Sequence, residues 1–188
     1  ETLISRTFPA FGIGAVAVPD AINRESVMAG ARSAVEMAKA KGGTVGLLIT
    51  ETPANPTNGL VDLALWREAS EWIATQQGGA RPPLAVDNTL LGPVFQKPLE
   101  HGADLVIYSL TKYVGGHSDL VAGGVVGAKA MLAPVRSLRS SLGTQLDPNT
   151  SWMIMRSMET LALRMRASAD NAARVAGYLA QHPQVANV

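Results

Sequence analysis

A chain of 188 residues with 47% hydrophobic content can bury one substantial core and slightly more. Its formal net charge of +1 points to neither nucleic acid nor an acidic membrane as partner, and no apolar run reaches the length of a membrane span. The absence of cysteine excludes disulfides, thiolate catalysis and cysteine-ligated zinc.

The chain opens on Glu1 rather than methionine and reads as a segment of something longer, with no signal peptide before its first strand. Residues 1–18 are mildly apolar. Gly12-x-Gly14-x-x-Ala17 formally matches a dinucleotide fingerprint, but no strand leads in, Pro19 interrupts the helix position and Asp20 comes too early for a ribose ligand. A turn followed by a short strand over 15–18 is expected instead.

Helical periodicity follows, with Val27, Ala31, Ala34, Val35 and Ala38 on one stripe, Asn23 as N-cap and Gly42-Gly43 as the stop. A buried strand is expected over 45–49. It empties into Glu51-Thr-Pro-Ala-Asn55-Pro-Thr-Asn-Gly59, where Pro53 and Pro56 hold the backbone around Asn55. The next helix runs from about Asp62 to Gln76, capped by Asp62 and stopped by Gly78-Gly79, with Leu65, Ala69, Trp72 and Ile73 inward. A third apolar run, 83–86, ends in Asp87-Asn88-Thr89, and a short helix is expected over 94–101.

The central stretch is Asp104-Leu-Val-Ile-Tyr-Ser109-Leu-Thr111-Lys112-Tyr-Val-Gly-Gly-His-Ser-Asp119. It reads as a buried strand delivering two hydroxyls and a lysine into a glycine-rich loop. A further strand over 120–126 and helices over 130–142, 148–160 and 162–181 complete the chain. Arg136, Arg139, Arg156, Arg164, Arg166 and Arg174 give the last third a basic cast, read as solvated helix faces and subunit salt bridges rather than an anion track. The alternation of strands and helices implies an α/β fold with a mostly parallel sheet and flanking helices.

Three strand ends thus carry polar groups to one sheet edge: Asn55 after the first, Asp87 after the second, and Ser109, Thr111 and Lys112 after the third. In open α/β sheets this is the edge at which ligands bind. His101, His117 and His182 show no metal-ligand spacing, and no Gly-x-Ser-x-Gly elbow is present, so neither a metal nor a serine nucleophile is assigned. An amine, a carboxylate, hydroxyls and an amide at one edge suit pyridoxal 5′-phosphate, whose chemistry uses a lysine to attach it, a carboxylate at the pyridine nitrogen and hydroxyls at the phosphate.

The stretch Asp104-Leu-x-x-x-Ser-Leu-Thr-Lys112-Tyr-x-x-Gly-His-Ser118 resembles the attachment signature of the pyridoxal-phosphate enzymes of Cys/Met metabolism, the group of cystathionine γ-synthase, the cystathionine lyases and methionine γ-lyase. Glu51-Thr-Pro-Ala-Asn55-Pro, Val86-Asp87-Asn88-Thr89, Gly143-Thr-x-Leu-x-Pro148 and Met158-Glu-Thr-Leu-x-x-Arg164-Met agree in order. The resemblance implies a fold-type I transferase large domain, incomplete at both ends, with residues 1–160 in that domain and 161–188 a helix leading toward a C-terminal domain. It implies Lys112 as attachment lysine and proton carrier, Asp87 at the pyridine nitrogen, Ser109 and Thr111 at the phosphate, and Asn55 near the 3′-oxygen. Glu51, Tyr113, His117 and Asp119 are divided between loop support and direct roles.

The activity implied is γ-elimination or γ-replacement on a sulfur amino acid or activated homoserine, in a cytoplasmic homo-oligomer, a dimer of dimers. Gly116-His117-Ser118-Asp119 leans toward the cystathionine enzymes and Glu51-Thr-Pro-Ala-Asn55-Pro toward methionine γ-lyase. The resemblance places the ring-stacking tyrosine, the glycine-rich phosphate loop and the carboxylate-binding arginine outside these residues, and completes the phosphate site from a neighbouring subunit. The segment alone is expected to be inactive. A module that binds the cofactor but has lost catalysis is the competing reading, opposed by the joint presence of Lys112, Asp87, Ser109 and Thr111.

Overall fold

The computed structural model describes residues 3–188. Two helical turns, a π-turn at Leu3–Thr7 and α1 at Phe8–Ala10, precede an irregular stretch that leads to α2, Arg24–Ala40. The Asn23 side chain accepts from the Ser26 N–H at 3.0 Å, and the helix ends at Lys41 and Gly42, the latter at φ +66°. Val27, Ala31 and Val35, spaced by one helical turn, are its buried stripe.

Strand β1, Leu48–Glu51, is followed by α3, Leu63–Gln77, then β2, Leu84–Asp87. Asp62 caps α3 by accepting from the Leu65 N–H at 3.1 Å, and Gly78 at φ +60° closes it. A short α4, Gly92–Phe95, and a 3-10 turn, Pro98–His101, replace the single helix expected over 94–101. Pro98 offers no N–H, so a continuous helix would lose a bond there. Strands β3, Leu105–Ser109, and β4, Gly123–Gly127, complete a four-stranded sheet in the order β1-β2-β3-β4. The first three strands are parallel and β4 is antiparallel to β3, so the sheet is mostly parallel as expected.

Helices α2 and α3 cover one face. Val27, Ala31, Val35, Leu63, Leu65, Trp66, Ala69 and Ile73 pack on Leu48, Leu84 and Val86. Burying a Val, Ile or Leu side chain of this kind contributes about 1.5–3 kcal/mol. Trp66 is both core and anchor: its indole N–H donates to the Ala21 carbonyl at 3.0 Å. The chain then forms α5, Lys129–Leu142, α6, Pro148–Met158, and α7, Leu161–Leu179. A second cluster joins α6 and α7 to the segment after β3, through Ile154, Leu161 and Met165 packed with Val114, Leu120 and Ala122.

Three strand expectations change. The strand expected over 120–126 begins only at Gly123, because the Ala122 N–H is taken by the Thr111 side-chain oxygen rather than by a strand partner. Residues 15–18 are not a strand, because no neighbouring strand offers them a ladder; Val18 instead packs on α2, where a Cβ on Gly30 would meet its Cγ2 at 2.5 Å. β1 starts at Leu48 rather than at residue 45. Its neighbour begins with Pro82-Pro83, which has no N–H to extend the pairing. The backbone of Val45 is served by a side chain instead: its N–H donates to Gln77 Oε1 at 3.1 Å and its carbonyl accepts from Gln77 Nε2 at 3.4 Å.

Candidate cofactor site at the sheet edge

The parallel register puts the C-terminal ends of β1, β2 and β3 side by side, with Glu51 opposite Asp87 and Asp87 opposite Ile107. Neighbouring strands lie about 4.8 Å apart, so side chains from adjoining ends can converge on one small molecule.

Asp87 is fixed by its own turn. The Thr89 N–H and hydroxyl both donate to Asp87 Oδ1, at 3.0 and 2.6 Å, while the Thr89 oxygen accepts from the Ser109 N–H at 2.8 Å. The ends of β2 and β3 are thereby tied through one hydroxyl. The other carboxylate oxygen of Asp87 has no protein donor among the described residues. Beneath this turn Asn88 is wholly buried, and its amide N–H₂ group lies within reach of the Gly92 and Gln96 carbonyls, at 3.0 Å each, and of the Tyr108 hydroxyl, at 3.2 Å. Its Oδ1 has no protein partner among the described residues.

After β3 the backbone winds into a tight helical turn. The Lys112 N–H donates to the Ser109 carbonyl at 3.1 Å, the Gly115 N–H to Leu110 at 2.7 Å and the Gly116 N–H to Lys112 at 2.7 Å. Lys112 is exposed, and its ammonium has no carboxylate partner among the described residues. The Ser109 hydroxyl is likewise without a protein partner among them. Thr111 differs. Its oxygen accepts from the Ala122 N–H at 2.9 Å and its hydroxyl lies 3.3 Å from the Ala122 carbonyl, so it also holds the segment leading into β4.

Asn55 stands apart from the others, exposed in the loop after β1 with no side-chain hydrogen bond to them among the described residues. That loop is nevertheless anchored to the edge. The Thr52 N–H donates to the Asp87 carbonyl at 3.2 Å, and the buried Thr52 hydroxyl accepts from the Val61 N–H at 3.2 Å. Asp87, Ser109, Thr111 and Lys112 are therefore brought together directly, and Asn55 through its loop.

Two residues were missed from sequence. Thr89 reads as an ordinary turn residue; its spacing of two from Asp87 is the side-chain-to-backbone turn signal that could have found it. Arg164 was read among solvated helix faces. Instead its guanidinium reaches back from α7 to the Lys112 turn, donating to the Tyr113 carbonyl at 2.6 Å and the Val114 carbonyl at 3.2 Å.

The donor set fits pyridoxal phosphate: an amine, a carboxylate oxygen and a hydroxyl, each lacking a protein partner among the described residues, on adjoining strand ends. Surface hollows of about 650 Å³, beside Thr52 and His101, and about 410 Å³, beside Arg139 and Ser151, do not take in Lys112, Asp87 or Ser109.

Residues 9–188 match the sequence profile of the Cys/Met metabolism PLP-dependent enzymes. The chain belongs to that family. Among curated relatives, cystathionine gamma-lyase of Bacillus subtilis is 41% identical over 162 residues, which cover 86% of this chain and 41% of that protein. L-methionine gamma-lyase of Streptomyces avermitilis is also 41% identical, over 143 residues covering 76% of this chain and 32% of that protein. The crystal structure of cystathionine gamma-lyase from Lactobacillus plantarum complexed with L-serine superposes with a TM-score of 0.81 at 33% identity, over 97% of this chain and 43% of that one. That of metB from Corynebacterium glutamicum gives 0.82 at 32% identity, with the same coverage. The chain thus spans less than half the length of these proteins.

Proposed function

We propose that the protein containing this chain performs γ-elimination or γ-replacement on a sulfur amino acid or an activated homoserine, with Lys112, Asp87, Ser109, Thr111 and Asn55 as its contribution to the cofactor site. The carrying observation is the convergence of Lys112, the free Asp87 oxygen and the Ser109 hydroxyl on one edge of a parallel sheet. When bound, pyridoxal phosphate supplies an electron sink for negative charge at the substrate carbons. Lys112 would attach it and, once released, take and return protons at those carbons. Asp87, held by Thr89, would keep the pyridine nitrogen protonated. Ser109 would donate to the phosphate, joined by Thr111 through the hydroxyl proton now turned toward Ala122. Asn55 would lie by the ring oxygen.

Cystathionine and methionine lyases match at equal identity, which supports the reaction class common to both. In the proposed architecture, residues up to 160 belong to the cofactor domain and α7 leads toward a further one, in keeping with the greater length of the relatives. Trp152, Met155 and Leu163 of α6 and α7 are exposed apolar groups, which supports assembly with further copies, as a dimer of dimers. Among the described residues no helix is long and apolar enough to cross a membrane. Independently of that, the cytoplasm is the proposed location, because the proposed substrates are free amino acids.

The test is the full-length protein. A visible absorption band on cofactor addition, lost in Lys112→Ala, is expected, together with 2-oxo acid release from methionine, cystathionine or O-succinylhomoserine. A protein that stays colourless with cofactor overturns the proposal. Inertness toward all three substrates, with and without a thiol acceptor, favours a silent cofactor-binding module.

A further inference from the structure

The turn carrying Lys112 is closed on itself at its amides but not at its carbonyls. Lys112 and Leu110 accept from within the turn, whereas the carbonyls of Tyr113 and Val114 point out of it like those at the end of a helix. Val114 is buried, so its carbonyl is costly to leave without a donor. Both are met by one side chain. Arg164 places Nη1 on Tyr113 and Nη2 on Val114, while Nη2 also donates to the Ser157 carbonyl at 2.8 Å and Nε to the Thr160 hydroxyl at 3.0 Å. A single planar fork therefore joins the attachment turn to the corner between α6 and α7. Lysine, a point charge on a flexible stem, cannot make these bonds together.

A second observation marks the same place. Gly116 sits at φ +77°, and a Cβ there would lie 1.9 Å from Arg164 Nη1. The glycine both adopts the left-handed turn and leaves the space that the guanidinium fills. The neighbouring contacts are apolar, with Val114 and Leu120 against Ile154, Leu161 and Met165, so the arginine is the polar clamp within an otherwise greasy contact.

We infer that Arg164 is a positioning residue for Lys112: it fixes the turn from which the lysine projects and makes that turn's geometry depend on the α6–α7 corner. The inference rests on the reading of Lys112 as the attachment lysine. It is tested in the full-length protein with Arg164→Met and, as a variant that retains charge and stem, Arg164→Lys. In the cofactor-free protein, hydrogen exchange in peptides spanning Lys112 to Gly116 is expected to rise about tenfold or more in Arg164→Met, as for loss of charge-assisted bonds, with the remaining chain unchanged. After loading, the visible absorption is expected to persist while the visible circular dichroism of the cofactor falls about twofold or more, with Arg164→Lys between the two. Wild-type exchange and dichroism in Arg164→Met overturn the inference, as does exchange accelerated evenly along the chain. A wild-type protein without a Lys112-dependent band instead sinks the functional reading, while the exchange measurement still reports on the clamp.

Discussion

The Thr89 hydroxyl donates to Asp87 Oδ1 at 2.6 Å while accepting from the Ser109 N–H at 2.8 Å, so the carboxylate is aimed by a neighbouring strand as well as by its own turn. Thr89→Val keeps the shape and removes both bonds. It is expected to weaken cofactor binding about tenfold, the scale of one hydrogen bond to a charged group, with Thr89→Ser restoring most of it. Fluorescence titration of the cofactor-free protein reads the change. Unaltered affinity in Thr89→Val would show that the Asp87 turn alone suffices.

Asn88 sits one residue away and plays the opposite part, facing inward. Its amide meets the Gly92 and Gln96 carbonyls in a site with no water access. Asn88→Asp, the same size, would set a carboxylate against two carbonyl oxygens. A loss of about 3 kcal/mol or more in urea unfolding is expected. A cost under about 1 kcal/mol would mean that the turn can rotate the side chain outward.

At the other end of the strands, Asp104 accepts from Arg81 at 2.5 and 2.8 Å and from the Leu84 N–H at 2.8 Å. Burial by itself would raise its pKa, but the hydrogen bonds from Arg81 and Leu84, with the charges of Arg81 and Arg67, outweigh this and hold it below the ordinary aspartate value. A depressed carboxylate stabilises the fold above its unfolded pKa and loses that contribution as pH falls through the lower folded value. Stability is therefore expected to decline from about pH 4 downward, less steeply in Asp104→Asn, which should also cost about 1–3 kcal/mol at neutral pH. Thermal unfolding across that range checks both, and identical acid profiles would contradict the assignment.

Much of this was legible in the sequence because the signals are local. Asn23 and Asp62 each cap the helix that follows, accepting from an N–H three residues on. The strand ends bearing Asp87 and Ser109 stand where apolar runs meet turn residues. What escaped was set by partners distant in sequence. β1 moved by three residues because Pro82 and Pro83 cannot donate to it, and residues 15–18 remained irregular for want of a neighbouring strand. Arg164 looked like one of several helix-surface cations, and nothing near it in the sequence reports the carbonyls 50 and 51 residues earlier.

Gly116 offers a separate check on that contact. Gly116→Ala meets a left-handed φ and displaces the Arg164 fork, so a destabilisation of about 1–3 kcal/mol is expected in the wild-type background. In Arg164→Met the added methyl has room, and the cost should shrink by about 1 kcal/mol, the non-additivity that contacting residues show. Additive losses in denaturant unfolding of the four proteins would indicate that the two residues act independently.

The clamp also has a consequence for timing. Tyr113 and Arg164 are 51 residues apart, and the chain is made from the N-terminal end. The lysine turn can therefore form while the segment that braces it is still unsynthesised. A cofactor arriving then would meet a lysine on an open-ended turn. One arriving after α7 has emerged would meet it already held.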